Sequence, residues 1–92
     1  MKITNFSFHQ IKDPTGIIVG DRYEFLLDVE VDEDDELFTE GGLELRVILA
    51  VEENGARIAH YNFADKATRQ TLEFGLEEDE EAEVSAFCHD KL

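Results

Sequence analysis

The 92 residues predict an α+β domain: a five-stranded, mainly antiparallel β-meander with one C-terminal helix packed on a face. Three observations carry that prediction. Period-two alternation of apolar and polar residues recurs in successive segments separated by Gly, Asn, Asp and Pro. The only helical stripe of apolar residues lies at the end of the chain. The length suits one domain spanning 1–92 with a thin core, and the 42% apolar content is too high for a disordered tail.

Residues 2–11 alternate, with Thr4, Phe6 and Phe8 on one side and Asn5, Ser7 and His9 on the other. Asp13-Pro14-Thr15-Gly16 reads as a type I turn, followed by the short apolar run Ile17-Ile18-Val19. Residues 22–31 place Tyr23, Phe25, Leu27, Val29 and Val31 on one face and polar residues on the other, broken only by Leu26. This is the pattern of an antiparallel strand with one solvated side. Residues 32–42 form an acidic loop ended by Gly41-Gly42, with Leu37-Phe38 as its anchor to the body. Residues 43–52 form the next strand, with Leu43, Leu45, Val47, Leu49 and Val51 inward.

Glu53-Asn54-Gly55 turns the chain into a strand over 56–64. A two-residue Asn-Gly turn would set Leu49 opposite His60 and Val47 opposite Asn62. A three-residue loop with Gly55 left-handed sets Leu49 opposite Ala59, Val47 opposite Tyr61 and Leu45 opposite Phe63. The second register keeps apolar sets together and is preferred. A polar turn at 65–68 leads to a fifth strand over 69–76, with Leu72 and Phe74 inward. Residues 77–91 read as a helix. Acids crowd its start, His89 and Lys91 its end, matching the macrodipole, and Val84, Phe87 and Cys88 form its stripe. The expected core is Phe6, Phe8, Tyr23, Phe25, Leu27, Val29, Leu45, Val47, Leu49, Tyr61, Phe63, Phe74, Val84 and Phe87.

Twenty-three acids against eight Lys and Arg give a net charge of −15, which repels nucleic acid and anionic membranes and excludes both as partners. A single cysteine excludes an intrachain disulfide framework. No apolar run is long enough to span a bilayer, and Met1-Lys2 leads straight into a strand pattern, so a cytoplasmic protein is expected.

Chemical constellations fail at their diagnostic positions. Asp32, Asp34 and Glu36 have the spacing that opens an EF-hand loop, but Leu37 stands where Gly is needed and Leu43 where a bidentate Glu is needed. His9, His60, Cys88 and His89 have no metal-ligand spacing, and Cys88 and His89 point about 100° apart on a helix. Cys88 lies at a helix C-terminus in an acidic chain, the opposite of an activating setting. Ser7 and Ser85 sit in no nucleophile elbow, and no phosphate-binding glycine loop occurs. No catalytic residue, metal or cofactor is expected.

What remains is the second sheet face. Ile48, Ala50, Ile58 and His60 fall there, with Ala50 beside Ile58 and Ile48 beside His60, and Leu26 joins them from the neighbouring strand. An apolar patch on an acidic surface is a candidate contact surface. The expected function is a non-enzymatic protein–protein interaction module, binding a protein partner or a second copy. One alternative is a ligand binder or small enzyme using a helix–sheet cleft, with His60 as acid/base. Another is a nucleic-acid mimic occupying a basic partner.

The opening alternation, Asp13-Pro14 with Gly16-Ile17, Gly20-Asp21-Arg22-Tyr23-Glu24-Phe25, the loop Val31-Asp32-Glu33-Asp34-Asp35-Glu36-Leu37 and the acidic run before Phe87-Cys88 resemble a small family of uncharacterised acidic proteins from Bacillus-type bacteria. The resemblance implies a bacterial cytosolic setting and assigns no activity, cofactor or site residue.

Overall fold

A computed structural model of the chain describes residues 1–12, 15, 16 and 20–92. Strands β1 (Lys2–Ile11), β2 (Asp21–Glu30), β3 (Leu43–Glu52), β4 (Gly55–Asp65) and β5 (Thr71–Leu72) form one sheet in chain order, followed by helix α1 (Glu78–Asp90). Every neighbouring pair is antiparallel. The α+β meander is therefore the observed fold. The turn at 13–16 and the run 17–19 fall, wholly or in part, outside the described residues.

The helix lies on the sheet face that carries the odd-numbered residues of β2 and β3, against β3 and β4 chiefly. Phe25, Leu27, Leu45, Val47, Leu49, Phe63, Val84 and Cys88 are fully buried there, with Val29 and Leu43 nearly so. Burying each large apolar side chain contributes about 1.5–3 kcal/mol. Cys88 completes the stripe with Val84, as its spacing requires. At the helix start the Glu80 carboxylate accepts from the Glu77 N–H at 3.0 Å, half of a capping box, and Glu78 to Glu81 fill the first turn.

The periphery departs from the expected core. Phe6 and Phe8 are 38% and 41% exposed, because β1 is an edge strand and α1 contacts chiefly β3 and β4. Phe87 packs at the margin of the core and meets Phe6 edge-on at 5.6 Å, while Phe8 stacks on Phe25 at 4.9 Å. A bulge between Ile3 and Asn5 gives Ile3, not Thr4, the place beside Phe6 on the helix side. Tyr23, Tyr61 and Phe87 are half-buried. Strand β5 is two residues long, not eight. The Leu76 N–H donates to the Tyr61 hydroxyl at 2.7 Å, drawing the chain away from the sheet and leaving Phe74 exposed. In the acidic loop Leu37 packs on the core, whereas Phe38 stays exposed.

The β3–β4 hairpin follows neither expected register along its whole length. Glu52 pairs with Gly55, so the turn is the two residues Glu53-Asn54, and Gly55 has φ 133°. Leu49 lies opposite Ile58, and the register then shifts so that Ile48 faces His60, Val47 faces Tyr61 and Leu45 faces Phe63. Ala59 is the extra residue of a bulge. The apolar sets meet as preferred, but through a tighter turn and a bulge rather than a three-residue loop.

Candidate interaction surface

The bulge decides the composition of the second sheet face. Because Leu49 points to the core, its partner Ile58 does too, and Ile58 is half-buried against the core cluster. Ile58 is thus removed from the expected patch. Leu26, Ile48, Ala50 and His60 remain on the face opposite the helix. No helix or strand covers that face among the described residues.

The register arranges this face in rows. Ser7, Leu26, Arg46 and Asn62 form one row. His9, Glu24, Ile48 and His60 form the next, and Ile11, Arg22, Ala50 and Arg57 the third. Leu26 and Ile48 are diagonal neighbours and half-buried, Ala50 is fully buried, and His60 is exposed. Around this apolar centre the rim carries both signs of charge. Arg46 Nε lies 2.6 Å from Glu24 Oε2, with His9 Nε2 3.7 Å from the other oxygen. Lys66 Nζ meets Asp28 at 2.8 Å and Arg57 meets Glu52 at 3.7 Å. Of the four arginines, Arg22, Arg46 and Arg57 stand on this face. Exposed pairs of this kind are each worth about 0–1 kcal/mol to stability; their consequence is a surface that is locally mixed in charge, in contrast to the acidic loop at 32–40 and the start of α1.

The remaining candidates separate. His60 lies on the side of the sheet away from α1, so it does not enter a helix–sheet cleft. That cleft, about 290 Å³, is lined by Ala56, Arg57, Ile58, Glu81, Ala82 and Ser85. Burial pushes the Cys88 thiol up to about 12, leaving it a core group rather than a nucleophile. A second cleft of about 300 Å³ gathers the carboxylates of Asp35, Glu36, Glu77, Asp79 and Glu80 between the acidic loop and the start of α1. Among the described residues no group of three His, Cys, Asp or Glu is placed to hold a metal ion. No described helix is long and apolar enough to cross a membrane.

The polar knot at Asp65 has no clear sequence signal. Its carboxylate accepts from the Thr39 hydroxyl and from the Ala67 and Thr68 N–H groups, while Lys66 N–H bonds the Gly42 carbonyl at 2.9 Å. The Thr39 hydroxyl and the two backbone donors hold its pKa below the usual carboxylate value.

Fold and surface together define an α+β protein built on a one-sided five-stranded sheet, with a helix on one face and an open, mixed-charge second face. The chain belongs to the family of unknown function DUF6509, whose model matches residues 1–92. No curated protein and no solved structure matches it. Membership over the whole chain agrees with a family that carries no assigned activity, and it assigns no site residue.

Proposed function

We propose that this chain is a non-enzymatic interaction module that binds a protein partner through the open face of its sheet, in the bacterial cytosol. The observation that supports this most strongly is the second face itself: the half-buried Leu26 and Ile48 lie diagonally across the Arg46–Glu24 ion pair, beside the fully buried Ala50, with Arg22, Arg57 and His60 around them. Apolar groups interleaved with charged and hydrogen-bonding ones are the composition of a non-obligate interface. The mixed rim also gives a partner charged groups to pair with in register, which favours specificity over indiscriminate attraction to basic proteins.

A second reading draws on the acidic cleft at the other end of the molecule, where five carboxylates from the loop and from α1 converge. There a basic partner would be held as a nucleic acid would hold it. The two readings differ in their salt dependence and in the residues they need. A pull-down from lysate of the source organism, eluted stepwise with salt, compares the wild-type domain with Ile48→Lys. One dominant partner that survives about 0.2 M salt, where the Debye length is under 10 Å, and is lost with Ile48→Lys is the expected result. A partner retained by Ile48→Lys would rule out the open face.

A further inference from the structure

We propose that two copies of this chain pair through their β1 edges about a two-fold axis at Ser7, forming a continuous ten-stranded sheet. The two edges of the sheet are unequal. At the far side β5 covers only Phe63 and Ala64 of β4, and the rest of that edge is broken by the bulge at Ala59, whereas β1 presents ten residues without a proline. Among the described residues no strand pairs with the outer edge of β1, and beyond its bulge at Ile3–Asn5 an edge of that length is a template for another strand. An association that uses the β1 edge of both copies is isologous and closed.

This edge is also the part of the chain that is free of acids. Residues 1–12 contain no Asp or Glu and carry Lys2, Lys12 and His9, in a chain where a quarter of the residues are acidic. Lys91 adds its ammonium 5.4 Å from the Phe6 ring centre. A second copy meets no carboxylate on this strand; with Ser7 opposite Ser7, Lys2 falls opposite Lys12 of the other copy at each end of the seam, a like-charge pairing that salt screens.

The register follows from the backbone. The Phe6 N–H donates to the Asn5 carboxamide at 2.9 Å; we infer from this that the backbone groups of Phe6 face away from β2 and, by the alternation of an antiparallel ladder, those of Phe8 and Gln10 with them. With Ser7 opposite Ser7, Phe6 of each copy forms a hydrogen-bonded pair with Phe8 of the other. The exposed rings of Phe6 and Phe8, both on the helix side, then cover one another across the seam. The Asn5 carboxamide that occupies the Phe6 N–H in the monomer gives way to a backbone carbonyl. Pairing also joins the two open faces side by side, so the dimer presents the proposed partner surface twice.

Cysteine cross-linking and sedimentation test this. Ser7 would lie in a non-hydrogen-bonded pair, with Cα atoms about 4.5 Å apart, within disulfide range. Ser7→Cys is expected to oxidise rapidly to a covalent dimer, and Asn5→Cys about tenfold more slowly or not at all. Sedimentation of the wild type across the micromolar range should show a monomer–dimer equilibrium that strengthens with salt. Phe8→Lys should shift it to monomer. Because Phe8 also packs on Phe25, Gln10→Pro serves as the second variant: it removes an outward N–H together with the exposed Gln10 carboxamide bond to Asp21 at 3.3 Å, and should weaken association about tenfold. A wild type that stays monomeric at all concentrations in moderate salt, or equal cross-linking through Asn5→Cys and Ser7→Cys, would overturn the proposal. Failure of the partner pull-down would leave this result unaffected, since the edge and the open face are separate surfaces.

Discussion

Asp65 accepts from Thr39, Ala67 and Thr68 and so ties the acidic loop to the turn after β4. Its lowered pKa fixes the sign of its pH effect. A carboxylate held below its unfolded value adds stability above that value and loses it as pH falls through the folded pKa. The melting temperature of Asp65→Asn should therefore trail wild type by its full margin at pH 7, and the gap should close as pH drops below about 4. A gap independent of pH would mean that the charge plays no part. The turn at 65–68 was legible from its composition, but Thr39, lying 26 residues earlier in the chain, was not. Nothing local to either residue signals a pairing made only when loop and turn meet. The burial of Cys88 was legible because its spacing from Val84 is helical. His60 was placed on the correct face, yet as acid/base in a helix–sheet cleft it was misread, since the helix covers the other side.

Strands show the limit of alternation as a signal. The pattern of Phe6 and Phe8 reads like that of Phe25 and Leu27, because period two reports which face a residue occupies and not whether its strand is central or at an edge. The structure separates them: Phe25 is fully buried in β2 between two strands, and Phe8 is 41% exposed on β1. Their truncations should differ accordingly. Phe25→Ala is expected to cost about 3–5 kcal/mol, most of the stability of a domain this size. Phe8→Ala, which removes a half-covered ring, should cost about 1–2 kcal/mol. Urea denaturation measures both, and equal costs would contradict the edge position of β1. The β3–β4 hairpin was half legible. Apolar matching identified Val47 with Tyr61 and Leu45 with Phe63 correctly. The bulge at Ala59 was invisible, because no residue there demands one, and with it went the true position of Ile58. β5 was overestimated because Phe74 continues an alternation that the Tyr61 hydroxyl interrupts.

Across the whole molecule charge is the dominant property, and it is unevenly placed. Acids concentrate in the loop at 32–40 and along α1, while β1 has none and the open sheet face carries three arginines among its acids. At −15 the folded state repels itself. Raising salt to about 0.1 M shortens the Debye length to roughly 10 Å, so the melting temperature should rise between very low salt and 0.2 M. No rise would show that the carboxylates are already separated enough not to interact.

The same unevenness distinguishes the open face from the acidic end as the place where a partner binds. Side-chain footprinting of the domain, alone and in its purified complex, reads that difference directly. Protection of Leu26, Ile48 and His60, with Phe38 and Phe74 unchanged, is the expected result. Protection of Phe38 and Phe74 beside the acidic cleft, with Ile48 and His60 as reactive as in the free protein, would contradict the open face as the contact surface.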